Sequence, residues 1–323
     1  MKVALIESSK SSGHAGRGIG VYTENLKKYL PKYGVEFVTQ DQNPDLIHYP
    51  QWDYLSADWL KLTNFPTILT IHDVIPLEFP KHYPLGIKSQ INLFFQKKYL
   101  QKYNIITDSY ASIKSIHKHL DVPHSKLKFI FLGVDPLYKP TNQKPKTSLP
   151  KQFALHIGGL NWNKNIVNLS KACLDLKLPL VIVGKDGQNI DQFNTTHPEL
   201  QHFAEIKKIW SKMNVIRLGY VETAELVKIM NAASVYCSVA FAEGFGLPAL
   251  EAIACGTPLV ASNTHSLPEI CGDYATYCDP HDLSSIKTAI KKTLLQKPTP
   301  QRNFSWEETA RQTTLIYNSI LHK

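Results

Sequence analysis

The nine residues Glu243-Gly244-Phe245-Gly246-Leu247-Pro248-Ala249-Leu250-Glu251 constrain this chain more than any other stretch. The apolar run Val235-Tyr236-Cys237 before them reads as a buried strand. Two glycines then bracket a turn, Pro248 takes the first position of a helix, and Gly256 ends it before a new strand at Pro258–Ala261. The turn therefore aims backbone N–H groups along a helix N-terminus, where unpaired donors and partial positive charge suit an anion such as phosphate. Glycine at Gly244 and Gly246 lets the backbone approach that anion with no Cβ in the way. Glu243 precedes the turn and Glu251 lies in the helix, so one carboxylate can face each side of a bound phosphate compound. The bland reading is an ordinary strand–turn–helix with Glu243 solvated and Glu251 helping the helix N-terminus.

With 323 residues, the chain has length for two domains, each with its own core. Short apolar runs alternate with helical patterns, as in a parallel sheet with crossover helices. Strands are predicted at Val3–Glu7, Val35–Thr39, Leu46–Tyr49, Thr67–Ile71, Ile105–Thr107 and Leu127–Phe131, with helices at Val21–Leu30, Gly86–Gln101 and Ala111–Leu120. A second alternation runs through Phe153–Ile157, Leu180–Val183, Val215–Leu218, Ser234–Cys237, Leu259–Ala261 and Ala275–Cys278, then helices at Leu283–Leu295 and Trp306–Leu321. The proline-rich, aperiodic stretch between the two series reads as a linker. The expectation is α/β: two Rossmann-like, doubly wound domains facing a cleft, with residues 1–140 and 152–303 as the domains, 141–151 as the linker, and 304–323 as a terminal helix. Ligands of such sheets sit beyond the carboxyl ends of the strands.

No apolar run approaches the ~18 residues of a membrane-spanning helix, and the N-terminus reads as a strand rather than a secretion signal. Of five cysteines with no Cys-x-x-Cys pair, most are expected as buried core residues in a reducing cytoplasm, not as zinc ligands. The formal net charge of +9 is carried mostly by scattered lysines, with no basic stripe interleaved with aromatics, so nucleic acid is not expected as a partner. The segment Ile87–Leu100 combines aromatics with lysines. It reads either as a helix packed on the first sheet with its lysines in water or as a helix resting on an anionic membrane surface.

Several other stretches carry chemistry. Gly16-Arg17-Gly18-Ile19-Gly20 precedes the first helix, yet its spacing is not the G-x-G-x-x-G of a dinucleotide fold. Gly158-Gly159-Leu160-Asn161-Trp162-Asn163-Lys164-Asn165 places a lysine just ahead of a helix. In Ile71-His72-Asp73-Val74-Ile75-Pro76-Leu77, a histidine closes a buried strand. Asp73 there either orients the His72 ring or caps the following turn. Leu218-Gly219-Tyr220-Val221 and Glu225-Leu226 end another strand. For each the bland alternative is ordinary packing, a tight turn or a solvated charge.

Taken together, these stretches with Gly256-Thr257-Pro258, Ser266-Leu267-Pro268-Glu269-Ile270, Gly272-Asp273 and Asp279-Pro280 form an ordered series. That series resembles glycosyltransferase family 4, the retaining, nucleotide-sugar-dependent enzymes of GT-B architecture with a glutamate–seven residues–glutamate motif. The resemblance implies that Gly244, Phe245, Gly246, Leu247 and Lys164, with Gly18 and Gly20 and with Arg17 as an accessory, hold the donor diphosphate. It gives Glu251 the ribose, Tyr220, Val221 and Leu226 the base, Glu243 the sugar near its anomeric carbon, and His72 the sugar and acceptor side. Many relatives carry arginine at the position of Gly159 or Asn163, so here the phosphate grip rests on Lys164 and helix ends. The implied activity is metal-independent hexosyl transfer, with mannose leaned toward, from a UDP- or GDP-sugar to a glycan or lipid-linked acceptor. The setting would be polysaccharide or glycolipid assembly in the cytoplasm, at the inner face of a membrane. The alternatives carried forward are a catalytically silent nucleotide-binding relative and an NAD-dependent oxidoreductase built on the Gly16–Gly20 loop.

Overall fold

The computed structural model describes residues 1–7, 18–53, 64–301 and 304–322. The chain divides into two units, one of Met1–Pro80, Leu85–Gly133 and Phe304–Lys323, the other of Lys81–Pro84 and Val134–Asn303.

The first unit is built on six parallel strands: β1 (Lys2–Leu5), β2 (Glu36–Phe37), β3 (Leu46–Tyr49), β4 (Thr67–Thr70), β5 (Asn104–Thr107) and β6 (Leu127–Phe129), in the order β2-β1-β3-β4-β5-β6. All residues of β3 and β4 are buried, as strands covered on both faces by helices must be. β2 is shorter than the expected Val35–Thr39 because it is an edge strand with a single neighbour. The first helix starts earlier than expected, at Gly18, and runs to Tyr29. Gly18 and Gly20 are thus part of its first turn, where N–H groups have no intrahelical partner, and not a loop ahead of it. Arg17 and Gly16 lie outside the described residues.

The last helix, Trp306–Leu321, belongs to this first unit although it ends the sequence. Ser305 caps it by accepting from the Glu308 N–H at 3.1 Å. The Thr309 hydroxyl donates to the Phe131 carbonyl at 2.8 Å, and Trp306 is 3% exposed. At Gly133 a Cβ would fall 1.9 Å from the Trp306 nitrogen, so only glycine admits the helix there. A buried polar chain ties its far end down: the His48 ring meets the Tyr317 hydroxyl at 2.6 Å through Nδ1 and the Thr70 hydroxyl at 2.8 Å through Nε2, and Thr70 in turn meets Tyr22 at 3.1 Å. Burial holds the His48 pKa down at about 3, so this histidine is a neutral structural group.

The helix Ile87–Leu100 packs on the first unit as expected, with Leu100 in its core and Leu93 and Tyr99 against it, while Lys88 and Lys98 stand in water; the surprise is its outer face. Only Gln96 and Leu100 are fully buried, with Gln96 accepting from the Trp52 indole N–H at 2.9 Å. Its apolar residues Ile87, Ile91, Phe94 and Phe95 face solvent at 78%, 55%, 59% and 53% exposure, beside the exposed Lys88 and Lys98. Lysines and aromatics therefore share one face, where the sequence pattern pointed to opposite faces.

The second unit carries β7 (Ala154–Ile157), β8 (Leu180–Val183), β9 (Val215–Leu218), β10 (Val235–Ser238), β11 (Leu259–Ser262) and β12 (Thr276–Cys278), all parallel in the order β12-β11-β10-β7-β8-β9. Its core gathers Leu180, Ile182, Val235, Cys237 and Val260 from the sheet with Leu169, Phe203 and Ile286 from helices on the faces. All five cysteines are buried and free. The proline-rich stretch from 141 to 150 forms no helix or strand. It is nevertheless pinned to the helix Thr223–Ala232: Thr141 N donates to Asn231 Oδ1 at 2.9 Å, and Lys146 N donates to the Glu225 carboxylate.

Candidate active site

Strands β7, β8 and β9 follow one another outward, and then β10 returns to the other side of β7. That reversal makes the carboxyl ends of β7 and β10 the topological switch point, the place where a doubly wound sheet opens to a ligand. The loop after β7 carries Lys164 and the loop after β10 carries Glu243, and the fold brings them together: Lys164 Nζ lies 2.7 and 2.6 Å from the two Glu243 carboxylate oxygens. Their side chains are 26% and 14% exposed, so the pair is half-buried and still reachable by a ligand.

Asparagines set this geometry. Asn163 is 5% exposed, its carbonyl accepts from Phe241 N at 2.7 Å, and its amide donates to the Ala242 carbonyl at 2.9 Å. Asn165 holds a left-handed φ of 57°, and its amide reaches the Val239 carbonyl at 2.9 Å and the Pro280 carbonyl at 2.8 Å. Trp162 stacks on Phe241 at 4.6 Å, and Phe241 on His281 at 4.8 Å. Asn163 is thus a staple that fixes the lysine loop against the glutamate loop.

The glycine turn leads into a helix at Leu247–Cys255, with Pro248 at its second position, one residue later than expected. Gly246 caps it at φ 101°, a conformation that favours glycine, and a Cβ there would meet Leu267 Cδ2 at 2.9 Å. The Ser266 hydroxyl donates to the carbonyls of Glu243 at 2.8 Å and Phe245 at 3.0 Å, holding the turn. Phe245 is 5% exposed, so it can serve a ligand through its backbone and not its ring. His156, Lys164, Tyr236, Ser238, Glu243 and Gly246 line a small concavity at this point.

Glu251 stands on the same helix. Burial pushes its carboxyl up to about 8, against a hydrogen bond from the Tyr138 hydroxyl that pulls the other way, and Asp135 adds to the rise. Tyr138 had no assigned role in the sequence reading. Tyr220, Val221 and Leu226, expected to meet a base, follow β9: Tyr220 is 58% exposed, and Val221 and Leu226 are half-buried. At Gly219 before them a Cβ would lie 1.9 Å from the Gln188 amide oxygen, so a larger residue there would have to displace that side chain.

In the first unit, His72 follows β4. Its Nδ1 lies 2.5 Å from Asp108 Oδ2 and its Nε2 lies 3.1 Å from the Pro50 carbonyl. Both partners accept, so with both bonds made the ring is the imidazolium. Burial alone would lower the His72 pKa, but the charge and hydrogen bond of Asp108, the charge of Asp73 and the Pro50 carbonyl outweigh it and raise it. Asp73 is the cap: its Oδ1 accepts from Ile75 N at 3.1 Å. The orienting carboxylate is Asp108, 36 residues away from His72. The Asp108-Ser109 pair marks a strand end in the sequence, but nothing local in it names His72.

Among the described residues no group of three or more His, Cys, Asp or Glu is placed to hold a metal ion, and no helix is long and apolar enough to cross a membrane.

Two parallel six-stranded units of this kind, with a charged pair at the switch point of the second, define the GT-B glycosyltransferase fold. The fold matches solved structures across nearly its whole length. Sucrose-phosphate synthase from Thermosynechococcus elongatus superposes with a TM-score of 0.77 at 18% identity over 100% of this chain and 99% of that one. HepE of Anabaena, in complex with UDP and glucose, gives 0.70 at 18% identity over 99% and 100%. Residues 139–313 match the family described as Glycosyl transferases group 1, and residues 37–137 match Glycosyltransferase Family 4. The chain belongs to the group 1 glycosyltransferases, and it is a glycosyltransferase. Among curated relatives, O-antigen chain mannosyltransferase B of Escherichia coli is 27% identical over 280 residues, spanning 78% of this chain and 70% of the relative. The serotype-specific mannosyltransferase WbdA of the same species is 25% identical over 76% of this chain, a span that covers 32% of WbdA's own length. Membership leaves the oxidoreductase reading of the Gly16–Gly20 loop without support.

Proposed function

We propose that this chain is a retaining hexosyltransferase that moves a mannose-like sugar from a UDP- or GDP-linked donor to a glycan or lipid-linked acceptor in polysaccharide or glycolipid assembly. The observation that carries the reading is the Lys164–Glu243 pair at the sheet's switch point, beside the head of the helix Leu247–Cys255. A diphosphate arriving there competes with Glu243 for the lysine. Its charge would be met by Lys164, by the N–H groups of the Gly244–Leu247 turn and by the helix end, so the reaction needs no divalent metal. Glu243, released from the lysine, would accept from sugar hydroxyls and stabilise positive charge developing at the anomeric carbon. Glu251 would bind the ribose, the first helix turn at Gly18 and Gly20 would add phosphate donors, and Tyr220, Val221 and Leu226 would meet the base. His72, charged and held by Asp108, would serve the sugar and acceptor side. The leaving diphosphate takes the acceptor proton, so neither glutamate is a hydrolase acid or base. Mannose is favoured because the curated relatives named above are mannosyltransferases.

The test is thermal unfolding with UDP, GDP, their common sugars and NAD, followed by nucleotide release from whichever sugar donor binds. A ligand at ~100 times its dissociation constant adds about 2.7 kcal/mol to stability. Stabilisation by one nucleotide diphosphate, weakened in Lys164→Ala, supports the reading, and a shift with NAD alone overturns it. Binding without release of nucleotide to any acceptor identifies a silent relative.

The solvent-facing apolar strip of Ile87, Ile91, Phe94 and Phe95 beside Lys88 and Lys98 favours a lipid-linked acceptor at an anionic membrane surface on the cytoplasmic side. Co-sedimentation with anionic vesicles tests this: Phe94→Glu is expected to abolish it, and equal sedimentation of wild type and variant refutes it.

A further inference from the structure

One buried polar atom of a residue that lines the concavity has no hydrogen-bond partner among the described residues and no place in the scheme above. His156 interrupts the apolar run of β7, and the ring is 3% exposed. Its Nδ1 lies 3.3 Å from the Cys237 carbonyl of β10. A carbonyl only accepts, so Nδ1 carries the hydrogen, and in the neutral ring Nε2 is left with a bare lone pair. Nε2 is buried and makes no hydrogen bond within the described residues. Burial and the nearby Lys164 charge keep the ring neutral, with its pKa drawn down to about 4 against the opposing pull of the Cys237 and Gly159 carbonyls and Glu243. Buried acceptors without donors are rare enough to need an explanation. The concavity that His156 lines also contains the Glu243 carboxylate, a second acceptor, while the ammonium of Lys164 is spent on Glu243. Once a diphosphate has drawn Lys164 away, Glu243 and the neutral His156 ring remain as two acceptors, and these suit the part of the compound that brings its own O–H donors.

We propose that His156 Nε2 accepts a hydrogen bond from a hydroxyl of the donor's sugar, making His156 a sugar-binding residue that works beside Glu243 and apart from the phosphate grip. This assignment rests on the transferase reading above. The ring nitrogen would discriminate among sugars by whether a hydroxyl stands opposite it, since a deoxy sugar leaves the buried lone pair unpaired.

The experiment compares wild type, His156→Phe and His156→Gln by calorimetric binding of the nucleotide diphosphate alone and by KM and kcat for the sugar donor. The phenyl ring keeps the volume and removes the acceptor, while glutamine restores an oxygen acceptor and covers the case in which phenylalanine fails to fold. The expected result is a rise in KM of about tenfold in His156→Phe, partial recovery in His156→Gln, and nucleotide diphosphate affinity within twofold of wild type in both. A donor unchanged in KM for His156→Phe overturns the assignment. So does a parallel loss of nucleotide diphosphate affinity, which would put His156 at the phosphates. Failure of the wild type to bind any nucleotide diphosphate overturns the transferase reading itself and this assignment with it, so the two failures are distinguishable.

Discussion

Replacing Asp108 by asparagine isolates the charge on His72 while keeping an acceptor of the same shape at 2.5 Å from Nδ1. The side chains of His72 and Asp108 are 14% and 3% exposed, so solvent screens the pair little. A hydrogen bond involving a charged group contributes about 1.5–3 kcal/mol and a neutral one about 0.5–1.5, so Asp108→Asn should cost about 1–2 kcal/mol while His72 is protonated. In a unit of this size that is a fall of about 2–8 °C in the midpoint of unfolding. The sign with pH follows from the raised His72 pKa. The folded protein holds the proton more tightly than the unfolded chain. The stabilisation is therefore complete below the ordinary histidine value of about 6.5 and is lost as pH rises through the folded value. Of the other groups facing the ring, Asp73 favours the charge, Tyr22 sits edge-on at 5.0 Å, and His48 stays neutral throughout. Thermal unfolding of wild type and Asp108→Asn at pH 5.5 and pH 9.5 should show the wild-type advantage at the lower pH and its shrinkage or reversal at the higher. An advantage of the same size at both would refute the imidazolium assignment.

At the second unit, Glu243→Ala should abolish transfer while leaving nucleotide diphosphate affinity near wild type, and Lys164→Ala should weaken that affinity itself; turnover and calorimetry separate them, and full activity in both would remove the site. Gly246→Ala is expected to cost about 1–3 kcal/mol from its left-handed backbone, more where Leu267 cannot yield, and to slow transfer, as read by denaturant unfolding and turnover. Glu251 has a carboxyl pushed up to about 8, so a ribose diol that needs the carboxylate competes with a proton below that value. Nucleotide affinity should rise by up to about tenfold between pH 7 and 9 and stay flat in Glu251→Gln.

The sheets were legible because strands covered on both faces are mostly apolar. Leu180–Val183 stood out for that reason, and edge strand β2 was expected longer than it is because half of its apolar pattern serves only one neighbour. The Glu243–Glu251 segment was legible because its glycine, proline and glutamate positions act locally through turn and helix-start geometry. What escaped were pairings across the sheet order. Asp108 meets His72 only because β4 and β5 are neighbours, and Asn163 and Asn165 find their carbonyls only because β7 lies beside β10. His156 leaves one local signal, a lone polar residue in the run Phe153–Ile157, but nothing local says what its ring faces. The helix Ile87–Leu100 was read by its composition, which cannot say which face a neighbouring sheet will cover.

The last helix has a consequence for how the molecule is made. A ribosome releases the strands of the first unit long before it reaches Trp306, so during synthesis Gly133 faces no backbone and His48, Thr70 and Tyr22 wait without Tyr317. The first unit is therefore completed only after the second unit has emerged. Until then its unfinished surface is a natural target for chaperones, and a message truncated just before Phe304 would yield a folded second unit attached to an immature first one.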